Sequence, residues 1–198
     1  ISGLHWHITF LPFVVCQCFF LVSRMYTPNP NQSPTANRGW QRVFQRGKLT
    51  LGIMFPIEAF ERDQPTMHNQ VALAQFAEKS GFSSLGFRDV PLRDPNFGDV
   101  GQVFDPWAYL GYMAAQTTEI ALLTASIILP LRHPIHIAKA AASIDQLSNG
   151  RLLLGIATGD RMVEFPAFNV DFESRGAMFR EEVDLLKIYW SEFYPQIS

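Results

Sequence analysis

Several side chains that could take part in chemistry stand at the ends of apolar runs in the sequence. Arg88 and Asp89 end one such run (LGFRDV), where a cation beside a carboxylate could orient a substrate or stabilise a developing anion, or could form a structural ion pair. Arg161 could reach a phosphate or could be an ordinary surface arginine. The small residues Ala125 and Ser126 would let the backbone approach a flat ring, or would fill a tight core. Which of these applies depends on the elements that position the residues.

These residues lie within an alternation of apolar runs and helical segments that begins at Leu49. The alternation is typical of parallel strands joined by crossover helices. We predict strands at residues 49–56, 83–90, 120–130 and 151–157. The third strand (IALLTASIILP) is almost wholly apolar, as a parallel strand buried on both faces must be. Helices are predicted at residues 66–80, 106–116, 133–149 and 174–193. The sequence therefore predicts an α/β fold of four βα units.

The most distinctive segment runs from residue 124 to residue 159 (TASIILPLRHPIHIAKAAASIDQLSNGRLLLGIATG). It contains a D-x-L-S-x-G-R motif, which consists of Asp145, Leu147, Ser148, Gly150 and Arg151 and is preceded by Leu129-Pro130 and His133-Pro134. In residues and in order, this segment closely resembles the bacterial-luciferase-like flavin-dependent monooxygenases, and the resemblance covers residues 49 to about 190. It implies a TIM (β/α)8-type barrel, of which residues 49–198 would be the N-terminal half because closure needs about eight units.

The motif itself is expected to be structural. In such barrels the active site lies at the C-terminal ends of the strands, whereas the residues from Asp145 to Arg151 form a turn between a helix and the next strand, at the opposite end. Asn149 and Gly150 should end the helix. Asp145 should either pair with Arg151 or accept backbone N–H groups. His133 is expected to cap a helix at the rim.

Chemistry is expected where the four strands end. In luciferase-like proteins the stretch that corresponds to Ala125 and Ser126 bulges against the flavin, sometimes through a cis peptide bond without proline. The resemblance therefore implies cofactor-binding candidates, namely Phe55, Ala125, Ser126, Ala157, Thr158, Gly159 and Arg161. The catalytic candidates are Arg88 and Asp89, at a position where some relatives carry histidine. No metal-ligand set, Ser-His-Asp set or phosphate-binding glycine loop is evident from Leu49 onward.

The function implied by the resemblance is that of a monooxygenase that binds flavin mononucleotide (FMN). Reduced FMN, which a flavin reductase could supply, would react with oxygen and oxidise a small organic substrate. One alternative is hydride transfer with the deazaflavin F420, which related barrels use. Another is a flavin-binding relative without turnover. We also expect the full-length protein to be a homo-oligomer and the half-barrel alone to be inactive.

Charge and cysteine content narrow the class of protein further. Residues 1–48 contain five of the 16 basic residues and no acidic residue, which leaves 11 basic against 18 acidic residues from Leu49 onward. The main part of the chain thus lacks the basic face that a nucleic-acid partner would require. The only cysteines, Cys16 and Cys18, cannot form a disulfide framework for it. We therefore predict a reducing compartment and a cytoplasmic protein.

Residues 1–48 form a leader that does not resemble the family, with a linker rich in proline and asparagine at residues 26–38. Its segment 4–22 carries no charge and is long enough to cross a membrane, but two histidines, a proline and a glutamine interrupt it. We rank a fragment boundary or translated upstream sequence first, a transmembrane or interfacial helix second, and a folded extension third. The histidines and cysteines of the leader depart from the usual zinc-ligand spacing. We predict that the leader contributes no residue to the barrel core.

Overall fold

A computed structural model of the chain describes residues 37–57, 65–94, 96 and 103–192. Within these residues the helices are α1 (Arg38–Val43), α2 (Gln70–Lys79), α3 (Pro106–Gln116), α4 (Pro134–Leu147) and α5 (Arg175–Ser191). The strands are β1 (Gly52–Met54), β2 (Ser84–Phe87), β3 (Ala121–Thr124), β4 (Ile127–Ile128), β5 (Leu152–Leu153) and β6 (Ile156–Ala157). Short 3-10 helices lie at Leu129–Leu131, Met162–Phe168 and Phe172–Ser174.

The main sheet consists of parallel strands in the order β1-β2-β3-β5. Ser84 of β2 pairs with Gly52 of β1 and with Ala121 of β3, and Leu122 of β3 pairs with Leu152 of β5. Strands that are adjacent in space therefore belong to consecutive βα units, and the predicted α/β fold with parallel, sequentially ordered strands is confirmed. Within the described ranges, β1 and β5 each have a neighbour on one side only, so the sheet is open at both edges.

Two of the predicted strands are each divided into two pieces. Residues 120–130 contain β3 and β4, residues 151–157 contain β5 and β6, and β4 pairs with β6 in a separate two-stranded parallel sheet. The two points of division are bound to each other: the hydroxyl of Thr124, at the end of β3, donates to the carbonyl of Gly155, between β5 and β6, and accepts from the Gly155 N–H, at 2.8 Å in each case. A Cβ on Gly155 would overlap the Thr124 carbonyl oxygen, so this close approach of the two backbones requires glycine at position 155. The apolar pattern gave no sign of the division because both faces of these strands are buried.

The helix ends mostly follow the signals in the sequence. Asp105 accepts hydrogen bonds from two backbone N–H groups in the first turn of α3, and His133 accepts one in the first turn of α4. Gly150, just past α4, has a φ of 75°. These contacts confirm the predicted caps. Helix α2 is the exception: it begins at Gln70 and not near residue 66, because Asn69 adopts a left-handed conformation with a φ of 57°.

The core lies between the sheet and the helices α2 to α5. Its fully buried side chains include Leu85, Leu110, Met113, Leu122 and Ile137. Helix α5 covers this core with the predicted apolar stripe, since Val183 and Leu186 are buried and Phe179 and Trp190 pack against the cluster. The Trp190 indole also donates to the carbonyl of Ala138 in α4, at 3.2 Å. The stripe predicted from the helical spacing is thus confirmed.

The described end of the leader, residues 37–48, packs against the turn between α4 and β5. Asn37 is buried, and its amide donates to Asp145 Oδ1 (3.2 Å) and to the Leu152 carbonyl (3.3 Å). The Gly39 N–H donates to the Gly150 carbonyl at 3.0 Å. The hydrophobic core clusters of the described chain contain no residue from 37–48, so this segment contacts the turn through polar and backbone groups. The division of the chain at residue 48 stays a prediction.

The rest of the leader falls in residues 1–36, outside the described residues. This part includes the apolar segment 4–22, the histidines and cysteines weighed as metal ligands, and most of the predicted linker. Among the helices in the described ranges, none combines the length and apolarity needed to span a membrane. The predicted ranking of the leader's possible roles therefore stays a prediction.

Candidate active site at the strand ends

The ends of the strands bring the predicted site residues to one edge of the sheet. Phe55 follows β1, Arg88 and Asp89 follow β2, residues 125–126 separate β3 from β4, and residues 157–161 end and follow β6. Because these strands are parallel, their carboxyl ends meet at the same edge. We call this edge the mouth.

Ala125 and Ser126 form a bulge at the mouth. The peptide bond between them is cis, a geometry that the family resemblance allows for. The Ala125 N–H donates to the Phe87 carbonyl (2.7 Å) and the Ile127 N–H to the Gly155 carbonyl (2.9 Å), so the strands on both sides hold the bulge. Ala125 and Ser126 are half-buried, whereas the residues on either side are buried. The bulge therefore presents small side chains and backbone at the mouth.

Ala157, Thr158 and Gly159 form a second surface of small residues, which continues from the strand that pairs with β4. All three are half-buried. Gly159 has a φ of 84°, and a Cβ at this position would lie 2.8 Å from Ile128 Cγ2 and 2.9 Å from Phe165 Cζ. A larger residue would therefore displace packed side chains. The first small-residue surface lies between β3 and β4, and the second lies at the end of β6, the strand that pairs with β4.

Phe55 lies in a buried aromatic cluster that supports the mouth. Its ring centroid is 5.5 Å from that of Phe87 and 6.1 Å from that of Tyr109, and the rings of Phe87 and Tyr109 are 5.0 Å apart. The peptide bond from Phe55 to Pro56 is cis. Phe55 is buried, so the structure places it in the wall behind the mouth and not among its half-exposed small residues.

Asp89 is bound by Arg132, a residue that the sequence analysis missed. The Asp89 carboxylate accepts from Arg132 Nε (2.9 Å), Arg132 Nη2 (2.6 Å) and the Ile128 N–H (3.0 Å), and its side chain is fully buried. Arg132 also lies 3.4 Å from an Asp105 carboxylate oxygen. Burial opposes the charge of Arg132, but the hydrogen bonds and charges of Asp89 and Asp105 together outweigh burial and raise the pKa of Arg132. Asp89 thus ties the end of β2 to β4, whereas Arg88 is half-buried.

Arg161 lies inside the protein beside Glu164. Only 5% of Arg161 is exposed, and its Nη1 is 3.8 Å from Glu164 Oε1. Glu164 is completely buried and accepts a long hydrogen bond, 3.5 Å, from the Leu92 N–H. Among the described residues no group donates a hydrogen bond to Glu164 Oε2. Burial raises the pKa of Glu164, and the Leu92 N–H and Arg161 offset only part of this effect.

The sequence does contain a signal that Arg132 and Glu164 make buried polar contacts. Each is the charged residue of an otherwise apolar segment shortly after a strand end, in ILPLRHP and in MVEFPAF. A buried charge needs a partner or must be neutralised. A lone charge in an apolar segment beyond a strand end therefore indicates a buried polar contact at the mouth.

The D-x-L-S-x-G-R motif lies at the opposite end of the strands, as predicted. The guanidinium of the buried Arg151 donates to the carbonyls of Ala114, Thr117, Ile120 and Ser148. Asp145 accepts from the Leu152 N–H at 3.3 Å, which is one of the two predicted arrangements. Burial raises the pKa of Asp145 to about 6. These contacts join the ends of α3 and α4 to the starts of the following strands, so the motif stabilises the fold at a distance from the mouth.

A family model described as luciferase-like monooxygenase matches residues 49–196. The chain belongs to this family. The matched region of this luciferase-like chain begins at Leu49, where the alternation of strands and helices also begins in the sequence. It includes every candidate residue at the mouth.

Curated relatives of this luciferase-like protein include an uncharacterised protein of Mycobacterium tuberculosis, 32% identical over 136 residues. They also include the alkanal monooxygenase beta chain of Photorhabdus luminescens, 30% identical over 102 residues. These alignments cover 61% and 52% of this chain, and 48% and 32% of the two relatives. The chain thus spans from a third to about half of the length of the curated relatives that it matches.

Solved structures with the same fold include the oxygenating constituent of 3,6-diketocamphane monooxygenase from Pseudomonas putida in complex with FMN. Its TM-score is 0.58 at 19% identity, over 71% of this chain and 39% of that one. An F420-dependent secondary alcohol dehydrogenase in complex with an F420-acetone adduct gives a TM-score of 0.62 at 22% identity, over 76% and 44%. These likenesses confirm the fold: the luciferase-like chain forms part of a TIM-type barrel. Of these two neighbours, the first is a monooxygenase component in complex with FMN and the second an F420-dependent dehydrogenase.

Proposed function

We propose that this chain supplies the flavin-facing half of an FMN-dependent monooxygenase, which oxidises a small organic substrate with O2. The observation that carries the proposal is the set of half-buried small residues at the mouth: Ala125 and Ser126 follow β3 and lead into β4, and Ala157 and Thr158 stand at the end of β6, which pairs with β4. A planar ring needs a surface without bulky side chains, and these four positions provide one. Membership of the luciferase-like monooxygenase family supports the same chemistry.

The residues at the mouth fit a flavin ring in their chemistry as well as their size. The bulge is held by hydrogen bonds to the Phe87 and Gly155 carbonyls, so the surface is formed before a ligand binds. The hydroxyls of Ser126 and Thr158 can donate to and accept from the polar edge of the ring or the ribityl chain. Phosphate sites in such barrels are often built by the loops after the seventh and eighth strands, so we expect the second half of the barrel to bind most of the phosphate.

We assign a contact with substrate or flavin to Arg88 and a positioning role to Asp89. The Asp89 carboxylate is buried and bound by Arg132, so it acts through the elements that it joins. A half-buried cation at Arg88 would stabilise negative charge on the reduced flavin or orient a polar substrate. Arg161, buried beside Glu164, supports the end of β6 in this proposal and does not bind the phosphate directly.

When bound, reduced FMN supplies the electrons that activate O2 for transfer of an oxygen atom to the substrate. The residues of this chain bind the ring, orient the substrate and exclude water. The aromatic cluster of Phe55, Phe87 and Tyr109 provides the dry wall behind the mouth. A flavin reductase would supply the reduced FMN, and we propose that the full-length protein works as a cytoplasmic homo-oligomer.

Oxygen uptake by the full-length protein separates this function from its alternatives. The protein is mixed with FMN, a flavin reductase and NAD(P)H, and oxygen uptake is measured with and without a panel of small organic substrates. A monooxygenase gives substrate-dependent uptake with FMN and no hydride transfer with F420. Substrate-dependent reduction of F420 without oxygen uptake would favour the alternative function that the F420-dependent neighbour performs. Binding of either cofactor without turnover would favour a non-catalytic relative.

A further inference from the structure

Gln70, the first residue of α2, has a buried side-chain amide that contacts two other elements beside the mouth. Only 4% of this residue is exposed. Its Oε1 accepts from the Ile57 N–H (3.1 Å) and from the Tyr109 hydroxyl (3.4 Å), and its Nε2 donates to the His68 carbonyl (2.9 Å). The oxygen faces two donors and the nitrogen faces a carbonyl, so these contacts define one orientation of the amide.

The contact with Ile57 fixes the chain where it leaves β1. The Phe55 N–H donates to the Gly86 carbonyl of β2 at 2.8 Å, so Phe55 still takes part in the pairing of the strands. Pro56 has no N–H, which makes Ile57 the next backbone donor along the chain. The acceptor for this donor is the side chain of Gln70. The amide therefore continues the anchoring directly after the strand pairing ends, and it joins this part of the chain to α2.

The contact with Tyr109 fixes a ring of the aromatic cluster behind the mouth. The Tyr109 ring lies 5.0 Å from that of Phe87 at an angle of 82°, and 5.4 Å from that of Phe104 at 90°. Tyr109 is 5% exposed, and a buried tyrosine hydroxyl needs a polar partner. Gln70 supplies an acceptor for it. Gln70 therefore holds this aromatic cluster from two sides, through Ile57 after β1 and through Tyr109 in α3.

We propose that Gln70 is a positioning residue for the monooxygenase reaction, which keeps the aromatic cluster closed against water by joining the end of β1 to Tyr109. Its effect on turnover rests on the proposed flavin function, whereas the joining itself does not. A displaced cluster would admit water beside the reduced flavin. O2 would then more often take two electrons and two protons from the reduced flavin and leave as hydrogen peroxide, with no oxygen atom transferred to the substrate. Loss of Gln70 should therefore lower the amount of product formed for each O2 consumed.

Paired substitutions in the full-length protein test this role. Gln70→Met keeps the length of the side chain and removes its hydrogen bonds. Gln75→Met is the matched control, because Gln75 lies on the same helix and donates to the carbonyl of Gln116, the last residue of α3, at 3.0 Å. Both changes remove a glutamine hydrogen bond between α2 and α3, so both should lower the unfolding temperature. Only the first changes a contact with the aromatic cluster.

The ratio of product to hydrogen peroxide is the readout that a merely stabilising contact would not move. It is measured with FMN, a flavin reductase and the substrate that gives the largest oxygen uptake in the panel. We expect Gln70→Met to lower this ratio about tenfold and Gln75→Met to leave it at the wild-type value. Equal ratios in these two variants would show that Gln70 only stabilises the fold.

Tyr109→Phe removes a single hydrogen bond and keeps the test decisive if Gln70→Met does not fold. This substitution should lower the ratio of product to peroxide about threefold. In a Gln70→Met background the effect of Tyr109→Phe should disappear, because the hydroxyl acts through the amide. An unchanged ratio in Tyr109→Phe, or effects of the two substitutions that simply add, would contradict the proposed link between Tyr109 and Gln70.

Amide hydrogen exchange in the flavin-free protein keeps this role separate from the proposed function. Exchange at Ile57 should be about tenfold faster in Gln70→Met than in Gln75→Met, because only in the former does the Ile57 N–H lose its acceptor. If wild type gives no substrate-dependent oxygen uptake but this difference in exchange is found, the proposed function is wrong and the joining of β1 to α2 by Gln70 stands. If exchange at Ile57 is the same in both variants, Gln70 does not hold the end of β1 and its positioning role is wrong.

Discussion

Arg132 binds the carboxylate of Asp89 through two of its nitrogens, at 2.9 Å and 2.6 Å, and the Ile128 N–H completes the set of donors at 3.0 Å. This contact joins the end of β2 to β4 directly beside the bulge at residues 125–126. The acid that stands next to Arg88 in the sequence therefore takes its cation from a different element. Its position makes it a determinant of the shape of the mouth.

Removing the carboxylate of Asp89 should destabilise the protein. Asp89→Asn breaks a pair in which the acid is fully buried, and such losses amount to about 3 kcal/mol in the free energy of unfolding. Urea denaturation of the full-length protein measures this loss. Asp184→Asn breaks the exposed pair with Lys187 and should cost less than about 1 kcal/mol. Equal effects of the two substitutions would show that the Asp89 contact does not hold the strands together.

Alanine at two glycines should have opposite effects on stability. Gly155→Ala places a Cβ onto the Thr124 carbonyl and should cost about 1 to 3 kcal/mol or prevent folding. Gly111→Ala, within α3, meets only Ile144 Cδ1 at 3.4 Å and should stabilise the helix by about 0.5 to 1 kcal/mol. Thermal unfolding of both variants measures the difference. A Gly155→Ala protein as stable as wild type would mean that the close approach of Gly155 to Thr124 does not need glycine.

Asn37 should contribute to stability although it lies in the predicted leader. Its Oδ1 accepts from the Trp40 N–H at 2.8 Å and caps α1, while its amide donates to Asp145 and to the Leu152 carbonyl. Asn37→Ala should therefore cost about 1 to 2 kcal/mol. Gln45→Ala, at an exposed position of the same segment, should be nearly neutral. FMN affinity should not change in either variant, because the contact lies at the end of the strands opposite the mouth.

Glu182 should make the protein less stable as the pH rises. Burial, and to a lesser extent the neighbouring Glu181, raise the pKa of Glu182 from 4.5 to about 7. Between these values the folded state binds a proton that the unfolded state has released, so the free energy of unfolding falls from about pH 4.5 to about pH 7 and then levels off. Glu182→Gln should remove this fall and stabilise the protein above pH 7 by a few kcal/mol at most.

The measurement for Glu182 is the thermal unfolding temperature as a function of pH, with Glu181→Gln as the exposed neighbour for comparison. The slope of wild type should become slightly smaller in Glu181→Gln, because Glu181 contributes to the raised pKa of Glu182, and much smaller in Glu182→Gln. Parallel curves for wild type and Glu182→Gln would assign the pH dependence to other groups.

The 198-residue chain alone should self-associate and bind FMN weakly. In the described structure β1 and β5 have unpaired edges, and Leu49, Leu51 and Met54 expose apolar side chains at the β1 edge. Light scattering and FMN titration check both expectations. A soluble monomer that binds FMN with a micromolar dissociation constant or better, about −8 kcal/mol, would show that the second half of the barrel is not needed.

The sequence by itself determined the order of the βα units, the family and the location of most candidate residues at the strand ends. These features depend on local signals: Asp105 and His133 cap helices within two or three residues, and the apolar runs mark the parallel strands. The D-x-L-S-x-G-R motif likewise makes much of its structure within a few positions of the chain, as Arg151 does with the Ser148 carbonyl.

Only the tertiary structure decided which partner each buried polar or charged group contacts. Asp89 and Arg132 are 43 positions apart, and Glu164 reaches the Leu92 N–H across 72 positions. The docking of Asn37 onto Asp145 spans 108 positions. Such contacts depend on which strand ends, turns and loops pack against one another, which no local pattern encodes. The sequence could show that a charge stands in an apolar segment, but the partner of that charge depends on which strand end lies beside it.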